Sequence, residues 1–131
     1  MYVQFKRNES FRLSFEPPID VTFSVVRSNQ HDQGNRELLI GKILDISPRG
    51  MKIFTDAQIT DFVSGIIKAN FVLDTSMIQA YGEIVWKKPF ANGFQYGIQF
   101  NGQKSVEELI VSELKLRRKK EVIAAKRKIQ F

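Results

Sequence analysis

The sequence predicts a mainly β protein, a six-stranded antiparallel β-barrel followed by one C-terminal helix. First, six short segments rich in Ile, Val, Phe and Tyr are separated by turn residues. Second, no helical period appears between these segments, which argues against alternating strands and helices. Third, 131 residues with 43% hydrophobic content are enough for one domain with its own core, and the absence of cysteine excludes disulfides.

The chain opens with an arm, which we expect over residues 1–15, before a barrel of residues 16–103. The double proline Pro17-Pro18 excludes a helix and favours an extended backbone. Apolar and polar residues then alternate over 20–27, and this alternation predicts the first strand. The wholly polar, glycine-containing segment 28–35 predicts an exposed hairpin loop.

Five further extended segments complete the predicted barrel. They are 37–45, 50–55, 66–74, 77–88 and 94–100. Turn residues such as Pro48-Arg49-Gly50 and Ala91-Asn92-Gly93 separate neighbouring segments, as expected for antiparallel strands with short connections. We expect five aromatic side chains of these strands in the core: Phe71, Trp86, Phe94, Tyr96 and Phe100.

The last segment, residues 104–131, is predicted to be a basic helix that packs on the barrel or extends from it. Ser105 and Glu108 have the spacing of a capping box, so the helix should begin near residue 105. One helical face carries Val106, Leu109, Ile110 and Leu114. This segment has 9 basic and 4 acidic residues, whereas residues 1–103 have 11 and 10. The net charge of +6 therefore lies mainly on the helix.

Several function classes lack the residues that they need. With no cysteine and one histidine, His31, thiolate catalysis, zinc fingers and cysteine-held clusters are excluded, and we expect no metal site. No nucleophile elbow, P-loop or Gly-x-Gly-x-x-Gly turn occurs, so we expect no enzyme. The N-terminus has no apolar signal segment and no run approaches the ~20 apolar residues of a membrane span. We therefore expect a cytoplasmic protein.

The stretch from Asp45 to Gly50 is the most informative motif, and it lies between two predicted strands. Asp45 and Ser47 can bond the backbone of a tight turn, Pro48 fixes φ, and Gly50 permits a close approach of another group. Taken alone, the motif is an ordinary β-turn. Its carboxylate and hydroxyl become a candidate site only if a second set of groups faces them.

The arm supplies such a set in Arg7 and Arg12. Arginine binds phosphate oxygens, and the O6/N7 edge of guanine, through two parallel hydrogen bonds. Two arginines beside a turn that presents a carboxylate and a hydroxyl could hold a guanine nucleotide. Phe11 could anchor the arm on the barrel. The alternative for the arm arginines is a solvated tail.

The chain resembles the PilZ domain family over about residues 5–120. The resemblance rests on the arginine-bearing arm, the Asp45-x-Ser47-x-x-Gly50 turn, Gly-Glu-Ile-Val-Trp at 82–86, Tyr-Gly-Ile-Gln-Phe at 96–100 and the C-terminal helix. PilZ domains are six-stranded antiparallel β-barrels of bacteria, and many bind the second messenger cyclic di-GMP. The arm arginines and the turn form the two halves of that family's binding site.

The resemblance implies a role for each matching residue. Arg12, with Arg7, would clamp a phosphate and the Hoogsteen edge of guanine. Asp45 would accept hydrogen bonds from guanine N–H groups. Ser47 would donate to base or phosphate, and Gly50 would keep the surface open. Lys6 and Arg49 are further candidate cations. The arm departs from the family pattern, because four residues instead of three separate its two arginines.

The resemblance therefore implies a non-enzymatic receptor that needs no cofactor beyond its ligand. Ligand binding would order the arm, and the ordered arm would present a surface to a protein partner. One alternative is an adaptor that contacts proteins without binding the nucleotide. A less favoured alternative is a barrel whose basic helix binds nucleic acid or an anionic membrane surface. Because the barrel is nearly neutral, we expect no DNA or RNA partner. Self-association through Val122 and Ile123 stays open.

Overall fold

The computed structural model describes residues 12–26, 38–59 and 66–129, with side chains to residue 127. They form strands β1 (Leu13–Val26), β2 (Leu39–Ser47), β3 (Gly50–Thr55), β4 (Ile66–Val72), β5 (Met77–Phe90) and β6 (Gly93–Phe100), then helix α1 (Lys104–Ile129). The predicted mainly β fold, with six strands and one C-terminal helix, is confirmed. No helix among the described residues is long and apolar enough to cross a membrane.

The six strands close into a barrel in the order β1-β2-β3-β6-β5-β4, and every neighbouring pair is antiparallel. Hairpins join β2 to β3, β4 to β5, and β5 to β6, so most strands pair with a neighbour in sequence. The pairing of β3 with β6 makes β2, β3, β6 and β5 one continuous outer surface. This surface holds the candidate site.

The first strand differs from its prediction, because β1 begins at Leu13 instead of residue 20. Its register against β2 shifts between Ser14 and Ile19. Pro17-Pro18 lie inside this irregular stretch, where the missing proline N–H groups interrupt no regular ladder. Extended structure therefore reaches into the segment expected to be an arm, and Arg12 directly precedes β1.

The core fills the barrel with branched aliphatic and aromatic side chains. Phe23, Ile43 and Tyr96 are fully buried, and Ile110 and Leu114 of α1 join the same cluster. Of the five aromatics expected in the core, Phe71, Tyr96 and Phe100 are buried and Phe94 is partly buried. The prediction for Trp86 is wrong, because this side chain is 39% exposed.

Glu113 anchors α1 at the end of the barrel where β4 passes into β5. Its buried carboxylate accepts hydrogen bonds from the backbone N–H groups of Asp74, Thr75 and Ser76, at 2.9–3.0 Å, and from the Thr75 hydroxyl at 3.3 Å. Burial alone raises the pKa of Glu113, but these hydrogen bonds outweigh it and leave the pKa below its ordinary value. Arg117 adds a hydrogen bond to the Leu73 carbonyl at 2.9 Å.

Candidate functional site

An open groove of about 620 Å³ crosses the outer face of the barrel beside the β2–β3 turn. Its size suits a small-molecule ligand. One wall comes from Arg12 and the end of β2, its floor from β3 and β6, and its other wall from Val85 and Trp86 of β5. Residues far apart in sequence meet here because β2, β3, β6 and β5 are neighbours in the barrel.

Two β-bulges turn the key side chains of the groove outward. In the β2–β3 pair the register shifts between Ile43 and Asp45, so that Asp45 lies opposite Lys52. In the β5–β6 pair it shifts between Ile84 and Trp86, so that Trp86 lies opposite Gly97. A bulge adds one residue to a strand and reverses the faces of the side chains beyond it. This reversal explains why Trp86, expected in the core, lies in the groove.

Asp45 is the electrostatic centre of the groove. Its carboxylate forms an ion pair with the Arg12 guanidinium, and the Lys52 ammonium lies 3.5 Å from its second oxygen. The Asp45 side chain is only 13% exposed, whereas those of Arg12 and Lys52 are 46% and 36% exposed. Arg49 also belongs to the lining, so the described groove residues include three cations and one carboxylate. The groove therefore favours an anionic ligand that offers hydrogen-bond donors to Asp45.

The β2–β3 turn is fixed by hydrogen bonds of Ser47 and Arg49. The Ser47 hydroxyl donates to the Gly50 carbonyl and accepts from the Arg49 N–H, both at 3.3 Å. The Arg49 carbonyl accepts from the Phe100 N–H at 2.9 Å, which ties the turn to β6. A Cβ atom on Gly50 would lie 2.4 Å from the Ile98 carbonyl oxygen. Glycine is therefore required there for the close approach of β6.

Trp86 forms an aromatic wall against the backbone of Gly97. A Cβ atom on Gly97 would lie 2.1 Å from the indole nitrogen, so only glycine leaves room for the ring in this position. The Lys88 ammonium lies 5.9 Å from the Trp86 ring centroid. An exposed indole flanked by cations can stack on a nucleobase.

The structure brings together five of the residues singled out from the sequence: Arg12, Asp45, Ser47, Arg49 and Gly50. Arg7 and Lys6 lie outside the described residues, as do Phe11 and His31. The sequence interpretation missed Lys52 and Trp86. A signal for Trp86 was available, since a glycine inside a strand, such as Gly97, often marks a close approach by another group.

No group of acidic or histidine side chains that could hold a metal ion occurs in the described parts of the chain. Among the described residues that line the groove, Asp45 is the one carboxylate, and it already pairs with Arg12 and Lys52. The described lining thus offers cationic and hydrogen-bonding side chains.

The sequence matches the family model of the PilZ domain over residues 5–115. Two solved structures of YcgR from Escherichia coli share the fold. YcgR in complex with c-di-GMP has a TM-score of 0.59 at 19% identity over 88% of this chain. The PilZ domain of YcgR with c-di-GMP has a TM-score of 0.60 at 13% identity, also over 88% of this chain. A comparison with curated proteins gives no match.

MrkH from K. pneumonia in its apo state has a TM-score of 0.60 at 23% identity over 92% of this chain. The present chain spans 48% of the first YcgR chain, 95% of the isolated YcgR domain and 57% of MrkH. It thus spans about half the length of two of these three neighbours. At these identities the likeness concerns the fold.

Proposed function

The chain belongs to the PilZ domain family, and from that premise we propose that it is a non-enzymatic receptor that binds cyclic di-GMP in the groove beside the β2–β3 turn. The observation that carries the proposal is the cluster of Asp45, Arg12 and Lys52 in this groove. Two of the similar structures, both of YcgR, contain c-di-GMP. Because the ligand is an intracellular second messenger, the proposed function implies a place in the bacterial cytoplasm.

The ligand has two parts that the groove can recognise. Its phosphates are anions, and Arg12 and Lys52 can bind them because both cations are partly exposed and long enough to move. Its guanine bases carry N–H groups, from which the Asp45 carboxylate can accept hydrogen bonds. Trp86 offers a flat surface on which a base can stack. Ligand binding therefore exchanges the ion-pair partners of Asp45 for a set that includes the nucleotide.

We propose that the residues before Arg12 complete the site, with Arg7 and Lys6 as additional phosphate-binding cations. Arg7 and Lys6 precede Arg12 by five and six residues, a chain length that allows them to reach a ligand held by Arg12. Fixing the arm on the barrel would present a new surface to a protein partner. Amide hydrogen exchange of residues 1–15 should slow when cyclic di-GMP is added, and unchanged exchange would contradict this step.

The test is titration calorimetry of the whole chain with cyclic di-GMP. Charge-assisted hydrogen bonds contribute about 1.5–3 kcal/mol, so Arg12→Ala should weaken binding by about one to two orders of magnitude. The matched control is Arg118→Ala, which removes an exposed arginine of α1 and should leave the affinity unchanged. Equal affinities of the wild type and Arg12→Ala would contradict the proposed site.

One other outcome would favour a second function. If the wild type does not bind cyclic di-GMP at all, the chain acts as an adaptor through protein contacts. The spacing of the arm favours this alternative to a degree, because four residues separate Arg7 from Arg12 in place of the family's three. A variant that restores the family spacing, Asn8→Arg, should then acquire measurable binding.

A further inference from the structure

The second half of α1 is exposed on all sides. Every described side chain from Arg118 to Arg127 is exposed, whereas Ile110 and Leu114 in the first half are fully buried. Among the described residues, the last hydrogen bonds from α1 to the barrel are those of Arg117 and Lys120, which bind the Leu73 carbonyl at 2.9 Å and the Asp74 carboxylate at 3.0 Å. Beyond them the helix projects from the barrel.

An outward face of distinct composition runs from the middle of α1 into its projecting half. Successive residues of an α-helix are rotated by about 100°, so six of the residues from Lys115 to Arg127 fall within an arc of about 120° opposite Ile110 and Leu114. These residues form the outward face: Lys115, Leu116, Lys119, Val122, Ile123 and Lys126. All six are exposed, and the three aliphatic side chains retain 43–46% of their surface. The face is thus half lysine and half branched aliphatic.

The acidic charge of this region is directed elsewhere. Glu121 is the one acidic residue between Leu114 and Arg127, and it lies on the opposite side of the helix. There its carboxylate pairs with the Arg117 guanidinium at 3.2 Å. The outward face therefore presents lysines and aliphatic groups without a neighbouring carboxylate.

We propose that the outward face binds an anionic lipid surface, with the helix lying parallel to the membrane plane. Lysine can leave its aliphatic stem in the interface while its ammonium group reaches the lipid phosphates. Leu116, Val122 and Ile123 enter the apolar boundary between the lysines. This surface lies on α1 and is independent of the groove and of nucleotide binding.

The composition of the face selects this partner over two others. Against the phosphates of duplex DNA, the cations would bind but the three aliphatic side chains would face charged groups. In a homodimer through this face, the aliphatic groups would meet, but the lysines of the two copies would repel one another. A lipid surface with anionic headgroups satisfies both halves of the face.

The experiment is sedimentation of the whole chain with vesicles of phosphatidylcholine, alone or with 30% phosphatidylglycerol, at physiological salt. The wild type should bind the anionic vesicles and not the neutral ones. Each lysine near such a surface contributes about 1 kcal/mol, roughly a fivefold change in partition. The variant Lys115→Gln/Lys119→Gln/Lys126→Gln should therefore bind on the order of a hundredfold more weakly.

The matched control removes the same charge from other exposed or half-exposed positions, in Lys42→Gln/Lys68→Gln/Lys104→Gln, and should bind vesicles much more strongly than the outward-face variant.

Val122→Ala/Ile123→Ala keeps every charge and should still weaken binding severalfold, because it removes apolar groups. Alanine favours a helix, so this variant tests the surface without unfolding it. Equal losses in the two lysine variants, or no loss in the alanine variant, would overturn the proposal. Binding of a 20-base-pair DNA duplex in preference to the vesicles would overturn it as well.

Discussion

Two buried carboxylates, Asp45 in the groove and Glu113 at the helix junction, differ in their partners. Those of Asp45 are flexible side-chain cations, and those of Glu113 are mainly fixed backbone N–H groups. Asp45 pairs with the partly exposed side chains of Arg12 and Lys52, whose long stems can move. Glu113 accepts three backbone N–H groups of a tight turn and one hydroxyl, which the fold holds in place. The first carboxylate borders open space, whereas the second is enclosed.

This difference separates a binding group from an anchoring group. Arg12 and Lys52 are partly exposed, so water can solvate them when they leave Asp45, and a ligand that donates hydrogen bonds can replace them at the carboxylate. If a carboxylate held by backbone N–H groups is removed, these donors lose their acceptor. Each buried donor without an acceptor lowers the folding stability by about 1–3 kcal/mol. Asp45 should therefore matter to binding and Glu113 to stability.

The largest effect on stability is expected from Glu113→Ala, which removes the carboxylate that anchors α1 to the barrel. Three backbone N–H groups lose their acceptor, and water can replace it only in part. We expect the free energy of unfolding to fall by about 3 kcal/mol, measured by urea denaturation. Glu121→Ala removes an exposed carboxylate of the same helix, whose ion pair with Arg117 is a surface contact, and should change the free energy of unfolding by less than about 1 kcal/mol. Similar losses of unfolding free energy in the two variants would contradict the assignment of Glu113 as an anchoring group.

A smaller effect is expected at the aromatic wall of the groove. Trp86→Ala should weaken cyclic di-GMP binding by about 1–2 kcal/mol, roughly tenfold, because it removes a stacking surface. Gly97→Ala should produce much of the same loss, since the new methyl group displaces the indole. Combined in one chain, the two changes should cost little more than Trp86→Ala alone. Additive losses in calorimetry would mean that Gly97 acts in another way.

The smallest expected effect is the loss of folding stability at low pH, when Glu113 becomes protonated. Although burial raises it, the pKa of Glu113 lies below its ordinary value of 4.5 because the turn donates hydrogen bonds to the carboxylate. A lowered pKa in the folded state means that the unfolded chain takes up the proton first. The stability from Glu113 is therefore complete above about pH 4.5 and is lost as the pH falls through the folded pKa.

The measurement is the difference in unfolding free energy between the wild type and Glu113→Gln at pH 7, 5 and 3. It should be constant between pH 7 and 5 and smaller at pH 3. A difference that does not change down to pH 3 would contradict the assignment of the charged carboxylate as the anchor.

The sequence predicted the order of elements well because strand patterning and turn residues are local signals. The termini of β3 were predicted to the residue, and those of β6 within one residue. The start of β1 was missed because the alternating pattern begins only at residue 20, whereas the strand continues back through the double proline in an irregular stretch. Local signals do not show where a strand can tolerate an interruption.

The candidate site was predictable only where a motif marked it. Asp45, Ser47 and Gly50 form such a motif, and Arg12 precedes the first strand. Trp86 reaches the groove because a bulge shifts the register of β5 against β6, and Asp45 comes to lie opposite Lys52 because a bulge shifts β2 against β3. A bulge depends on how two strands pair, which the alternation of residues within one strand does not show. Regular alternation along β5 therefore places Trp86 on the inner face, which is wrong. Glu113 was missed for a similar reason, since its partners are backbone groups of a turn 37–39 residues away.

One measurement tests the account most directly: the affinity for cyclic di-GMP and the free energy of unfolding, both determined for Asp45→Asn and Glu113→Gln. Both substitutions remove one negative charge and keep nearly the same volume. We predict a crossed result, in which Asp45→Asn loses at least tenfold in affinity but less than about 1 kcal/mol in stability. Glu113→Gln should lose about 2 kcal/mol in stability with unchanged affinity. Undiminished affinity in Asp45→Asn would contradict the central claim that the groove carboxylate holds the nucleotide.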